Sequence, residues 1–200
     1  MITVIAIVGK KRSGKVTASD YLEKRYGVEK AQKLAYPIKE IGKLMFGWST
    51  EMVEGIDYDR EQVIEELGMS VRQFLQECGS LFKYDLSRIL PEYGKKVGAK
   101  VWAKNLVNWL KERDVDAFSS IYSVSDVRFP EEVEEIGKNF KLYVIKLVSD
   151  RSPEDHHISE TACDNIPADV VITNDGTNTQ EELYKNLDIA MDWIQKEIFK

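Results

Sequence analysis

Ile2-Thr3-Val4-Ile5-Ala6-Ile7-Val8 runs directly into Gly9-Lys10-Lys11-Arg12-Ser13-Gly14-Lys15-Val16-Thr17. An apolar strand entering a glycine-bracketed loop, with a lysine after the second glycine, is the layout of a nucleotide phosphate cradle. Gly9 and Gly14 permit backbone angles and a close approach that a side chain would block. The loop can then aim several N–H groups at one set of phosphate oxygens, and the helix that follows adds the positive end of its dipole. Lys15 would reach the β- and γ-phosphates as a mobile point charge. The required context is present: a strand before the loop, and after it an amphipathic pattern of Ala18, Tyr21, Leu22 and Arg25/Tyr26.

The spacing matches G-x-x-x-x-G-K with one departure. Val16 follows the lysine where Ser or Thr is usual, and that hydroxyl ordinarily holds Mg²⁺. Thr17, one position on, is the nearest side-chain oxygen. Taken alone, the broken motif also fits a glycine turn with basic decoration.

Two hundred residues with 43% hydrophobic and 31% charged content suit one α/β domain carrying an insertion, or at most two small lobes. The net charge of −6 argues against a broad nucleic-acid-binding face, so phosphate recognition falls to local clusters such as Lys10, Lys11, Arg12 and Lys15. Cys78 and Cys163 stand far apart without metal spacing, which fits reduced thiols in a cytosolic protein. The Ile2–Val8 run is too short for a membrane span and lacks the flanks of a secretion signal.

Beyond the first β-loop-α unit, with its helix over Lys15 to Tyr26, a short strand is expected near Ala31 to Ala35. Pro37 opens a helix with Ile38, Ile41, Leu44 and Met45 on one face. From Ser49 to Lys111 no strand is evident. Ser70-Val71-Arg72-Gln73 is a capping box opening a helix with Val71, Phe74, Leu75 and Cys78, and Val101, Trp102, Leu106, Val107 and Leu110 mark another. Strand character returns over Ile121–Ser125, Leu142–Val148 and Val170–Thr173. Pro130 begins a glutamate-rich helix, and Thr179-Gln180-Glu181-Glu182 caps a last one burying Leu183, Leu187, Ala190, Ile194 and Ile198. Strands alternating with helices predict a mainly parallel sheet covered on both faces.

Ser125-Asp126-Val127-Arg128-Phe129-Pro130 stands at the carboxyl end of a strand, where ligands bind in open α/β sheets. Asp126 could hold Mg²⁺ directly or through water, and Arg128 could pair with a phosphate; an Asp–Arg ion pair capping the next helix is equally open. Arg72, near Gln73 and Gln76, could clamp a substrate phosphate, or lie on a solvated helix face. Arg88 and Arg151 follow the same logic more weakly, Arg151 in a loop suited to a lid. His156 and His157 read as exposed rather than metal-binding, and Glu131 to Glu135 as a solvated helix face. Trp48, Trp102, Trp109 and Trp193 fall at core positions, with Trp102 also open as the border of a base pocket.

Together these segments resemble the bacteriophage-type deoxynucleoside monophosphate kinases. The resemblance is carried by Gly9–Lys15, Leu34-Ala35-Tyr36-Pro37-Ile38-Lys39, Glu54-Gly55-Ile56-Asp57-Tyr58-Asp59-Arg60-Glu61 and Ser70-Val71-Arg72 with Gly79. It continues through Ser125–Arg128, His157-Ile158-Ser159-Glu160 and Val171-Ile172-Thr173-Asn174-Asp175-Gly176. It implies a P-loop kinase-type three-layer α/β fold over residues 1–200, with a helical monophosphate-binding insertion near 47–112 and a lid near 149–165. The implied reaction moves the γ-phosphoryl of ATP, with Mg²⁺, to a deoxynucleoside monophosphate. The resemblance also implies a cytoplasmic protein of bacteriophage origin, hence one residing in the host bacterial cytoplasm if phage-encoded.

In that picture Gly9, Lys11, Arg12, Ser13, Gly14, Lys15, Val16 and Thr17 hold ATP phosphates, and Asn174, Asp175 and Gly176 lie near its adenine. Lys39, Arg72, Gln76, Arg88, Trp102 and Arg128 serve the acceptor; Lys15, Arg72, Arg128, Asp126 and Arg151 serve catalysis; Thr17 and Asp126 serve the metal. The family commonly has Asp-Thr after the loop lysine, and Val16 replaces that aspartate. The partners implied are small-molecule nucleotides, with no stable nucleic acid and no membrane; a homodimer stays open. The rivals are another small-molecule kinase on this scaffold, such as phosphomevalonate kinase, and a nucleotide-binding protein with weakened catalysis.

Overall fold

The structure, a computed structural model, describes residues 2–113, 120–150, 162–175 and 179–198. Its elements run β1 (Ile2–Val8), α1 (Lys15–Tyr26), β2 (Glu29–Lys30), α2 (Tyr36–Phe46), α3 (Thr50–Glu54), β3 (Val63–Ile64), β4 (Met69–Ser70), α4 (Val71–Tyr84), α5 (Leu86–Ile89), α6 (Pro91–Val97), α7 (Val101–Lys111), β5 (Ser120–Val124), α8 (Pro130–Gly137), β6 (Lys141–Val148), β7 (Val170–Thr173) and α9 (Gln180–Ile198). They fall into two compact units, Met1–Lys33 with Asn105–Lys200 and Leu34–Lys104.

The first unit is built on a five-stranded sheet of order β2-β5-β1-β6-β7. Every pairing in it is parallel, with β1 held between β5 (Ala6↔Val124) and β6 (Val8↔Lys146). All seven residues of β1 are buried, as expected of a central strand covered on both faces. On one face Ile5, Ile7, Ile145, Leu147 and Ile172 pack against Ala18 and Leu22 of α1 and Leu187, Met191 and Ile194 of α9. Val4, Ala6 and Val8 are equally enclosed on the other, the side on which Trp109 of α7 meets Tyr122 of β5 edge to face. The chain leaves β1 toward β2 on one side and leaves β6 toward β7 on the other. The β1–β6 junction is therefore a topological switch point, where the carboxyl ends of neighbouring strands open a crevice.

The predicted capping box at Thr179 is present: Glu182 accepts from the Thr179 N–H, and the Thr179 hydroxyl from the Glu182 N–H. The short strand expected over Ala31 to Ala35 lies instead at Glu29–Lys30. Its exposed two-residue edge pairs with Tyr122 and Ser123 and carries no apolar signature of its own.

The second unit gathers Trp48, Val53 and Val71 with Phe46, Met52 and Phe74. The indole of Trp48 meets Phe74 edge to face at 5.1 Å. The Ser70 capping box forms as predicted, with Ser70 and Gln73 exchanging side-chain-to-backbone bonds. Two expectations give way. β3 and β4 make a small antiparallel hairpin in a stretch read as strandless, each strand being too short to show alternation. Leu44 and Met45 are exposed, because the inner face of α2 runs through Ile38, Lys39 and Gly42. A Cβ on Gly42 would lie 2.6 Å from the Trp48 ring, so the glycine is the seat of the indole.

Cys163 is buried and Cys78 half-buried, and the two are not joined in a disulfide. No helix among the described residues is long and apolar enough to cross a membrane. Most of the expected lid, 151–161, lies outside the described residues.

Candidate functional site

The loop after β1 is shaped by three positive φ values, at Gly9 (152°), Arg12 (65°) and Gly14 (95°). A Cβ at Gly9 would stand 2.5 Å from the Leu147 carbonyl oxygen and 2.6 Å from Ser13 Oγ, so glycine lets the loop close onto the end of β6. The turn is fastened by the Ser13 N–H donating to Lys10 O at 3.2 Å, and α1 begins with Ala18 N–H donating to Gly14 O at 2.9 Å. A turn of this kind presents backbone N–H groups as an anion-binding concavity. Lys15 Nζ folds back across it, donating to the carbonyls of Gly9 (2.7 Å) and Lys10 (2.6 Å). No acidic side chain occupies the first turn of α1 to offset its dipole. Lys10 Nζ pairs with Asp164 at 2.9 Å.

Two positions in that first turn bear on a metal. Thr17 is half-buried, whereas Val16 is 61% exposed and fills no core position. The packing of α1 therefore does not account for a valine there. Among the described residues no group of three or more His, Cys, Asp or Glu side chains could hold a metal ion.

Asn174 follows β7 and comes against the back of the phosphate loop. Its Nδ2 donates to Ser13 O at 2.9 Å, and its own N–H donates to Val148 O at 2.7 Å. A Cβ on Gly14 would lie 2.5 Å from Asn174 Nδ2. Nothing in the sequence signals this brace, because the two residues are distant in the chain and meet only through the β1–β6–β7 arrangement. Behind the loop, Ser19 of α1 and Ser123 of β5 share a buried hydroxyl–hydroxyl bond of 2.8 Å. Gly176 lies outside the described residues, as do Arg151, His156 and His157.

Asp126 and Arg128 are half-buried just beyond β5. Their loop is tied to α8 by Glu132, whose Oε2 accepts from the backbone N–H groups of Arg128 (2.9 Å) and Phe129 (3.1 Å). Glu132 is 4% exposed. That corrects the expectation that Glu131 to Glu135 form a solvated face: Glu132, the second carboxylate of the run, turns inward because two N–H groups at the start of α8 need an acceptor.

In the helical unit Lys39 Nζ meets Glu54 at 2.7 Å, and Arg72 Nε meets Glu61 at 3.3 Å. The Arg72 N–H also donates to Arg60 O, while Arg60 donates to Val53 O. The Glu54–Glu61 segment thus supplies carboxylates to two candidate substrate cations. Gln76 is half-buried one turn along α4 from Arg72. Arg88 is largely exposed on α5, with Asp85 3.7 Å away. Trp102 is built into the core, its indole N–H donating to Gly79 O at 3.3 Å and its ring beside Phe82. A cavity of about 690 Å³ lies elsewhere in this unit, lined by Phe46, Trp48, Met52, Tyr58 and the β3–β4 turn.

Residues 3–92 match the family model for deoxynucleotide monophosphate kinase. Over 198 residues the chain is 30% identical to an Acanthamoeba polyphaga mimivirus protein named "Putative deoxynucleotide monophosphate kinase", covering 96% of this chain and 97% of that one. The chain belongs to the deoxynucleotide monophosphate kinase family. It is accordingly a nucleotide kinase, a phosphotransferase by class. Similar solved structures are shikimate kinase from Aquifex aeolicus, at 11% identity over 96% of this chain and 98% of that one, and a sugar kinase from Janibacter sp., at 15% over 97% and 93%. Both have a TM-score of 0.45. The mimivirus relative, from a giant virus of amoebae, lends no support to the bacteriophage origin inferred from sequence.

Proposed function

We propose that this kinase transfers the γ-phosphoryl group of ATP to a deoxynucleoside 5′-monophosphate, giving the diphosphate and ADP. The observation that carries this reading is the loop Gly9–Lys15 at the switch point of an all-parallel sheet, with Lys15 folded across it. Its glycine-dependent closure, its positive φ values and its four basic side chains fit a triphosphate. Thr17 and Asp126 would hold Mg²⁺, which needs only one or two protein ligands alongside substrate phosphates. Once bound, the ion would neutralise charge on the phosphate oxygens.

The chain's own contribution is positioning and charge. The loop N–H groups and Lys15 orient the donor phosphates, and Arg128 is held by Glu132 on a fixed turn where it can meet spreading negative charge. Arg72 and Lys39 are the acceptor ligands we assign in the helical unit, each already oriented by a carboxylate. Membership of the family favours a nucleotide acceptor over phosphomevalonate.

Coupled ADP release with a panel of dNMPs and NMPs, and with phosphomevalonate, tests the reading. Turnover with at least one dNMP and none with phosphomevalonate is expected, and Lys15→Ala should abolish most of it while keeping the fold. Equal turnover by Lys15→Ala would refute the assignment. One observation favours a second reading, a nucleotide-binding protein with weakened catalysis: exposed Val16 offers no oxygen beside the lysine. ATP binding without turnover on any monophosphate would select it.

A further inference from the structure

We infer that Asn174 is a positioning residue for the phosphate loop, fixing the orientation of the Ser13–Gly14 peptide through its side-chain amide. The inference rests on the reading of that loop as the seat of the ATP phosphates. Gly14 accepts φ of either sign, so local sterics do little to stop the peptide before it from turning over. The peptide is trans, so its C=O and N–H point in opposite directions. Ser13 O is held by Asn174 Nδ2 at 2.9 Å, which directs the Gly14 N–H away from Asn174. If the peptide turned over, the two groups would exchange sides and the loop would lose a phosphate donor.

Two further observations support the assignment. Ser13 Oγ is fully buried and has no hydrogen-bond partner among the described residues, so no hydroxyl contact seen there holds this residue in place. Asn174 is itself anchored, its N–H bonded to Val148 O next to the β6–β7 pairing of Val148 with Thr173. The amide orientation is set by chemistry, since a carbonyl oxygen can accept only from the NH₂ side.

The test compares Asn174→Ala, Asn174→Asp and Lys15→Ala by calorimetric binding of ATP and of inorganic tripolyphosphate, which has no base. KM for ATP and for the dNMP is measured alongside. Both Asn174 variants should weaken ATP and tripolyphosphate by one common factor, about three- to tenfold for a lost hydrogen bond, leaving KM for the dNMP unchanged. Asn174→Asp, nearly isosteric, keeps the test readable if the alanine variant does not fold. Weakened ATP with undiminished tripolyphosphate binding would place Asn174 at the base and overturn the inference. So would unchanged affinities in both Asn174 variants while Lys15→Ala loses both ligands. Should Lys15→Ala bind both ligands normally, the phosphate-loop reading itself fails and the inference falls with it.

Discussion

Lys39 Nζ lies 2.7 Å from Glu54 Oε2, with the lysine side chain 8% exposed and the glutamate 28%. Removing one partner from an enclosed ion pair exposes the desolvation cost of the other, about 3–5 kcal/mol when burial is complete. Glu54 is partly solvated, so Glu54→Gln should lower stability by about 1–3 kcal/mol. Adding Lys39→Met should return part of the loss, since an apolar replacement removes the buried charge. Urea unfolding of the two singles and the double checks this; strictly additive effects would show that the pair is not coupled.

Glu132 gives the second prediction. Replacing it by alanine leaves the Arg128 and Phe129 N–H groups without that carboxylate, a loss of about 1–3 kcal/mol for buried donors. Glu132→Gln keeps an acceptor oxygen in place and should cost less. If Arg128 serves phosphoryl transfer from this turn, kcat should fall in Glu132→Ala beyond what the unfolded fraction explains. Rates measured well below the melting transition separate the two effects.

Much of the fold is legible in residue order. The β1 run, the Ser70 and Thr179 capping boxes and the three later strands are each written in local pattern, and the structure holds them within a residue or so. Legibility fails where a tertiary partner decides. Gly42 carries no apolar signal, yet Trp48 seats on it and turns the α2 face away from Leu44 and Met45. Glu132 reads as one of several surface acids until two N–H groups claim it. At the candidate site the loop itself is legible, because strand, glycines and lysine are contiguous. The carboxylates that orient Lys39 and Arg72 and the amide behind Ser13 come from elsewhere in the chain.

Asp188 on α9 accepts from the phenols of Tyr21 and Tyr26, both at 2.7 Å. The Tyr26 bond first, and the Tyr21 bond second, hold its carboxyl below the usual range. Burial, then the bond to Asp188, pushes Tyr26 up to about 12. The depressed carboxylate contributes stability above its unfolded pKa of about 3.9 that is lost as pH falls toward the folded value. The raised phenol contributes below about pH 10 and is lost as pH climbs from there toward about 12. Tyr26→Phe should therefore flatten the alkaline limb and shrink the acid one, in unfolding curves collected across that range. Retention of both limbs at full size would count against the bond.

Val16 stands exposed in the first turn of α1, directly after the lysine that crosses the loop, so a polar side chain there disturbs no packing. An aspartate at this position would act in two separable ways. As a fixed negative charge in the first turn it should stabilise the ligand-free protein by about 0.3–1 kcal/mol through the helix dipole. As an oxygen donor beside Thr17 it would join the protein groups available to Mg²⁺, raising turnover and lowering the magnesium concentration needed for half-maximal rate. Val16→Asn should share little of the first effect, lacking charge. We expect Val16→Asp to raise kcat about tenfold or more, which corresponds to about 1.4 kcal/mol of barrier. A variant more stable than the parent but no faster, with the same magnesium dependence, would show that Thr17 and Asp126 already suffice and that the valine does not limit the reaction.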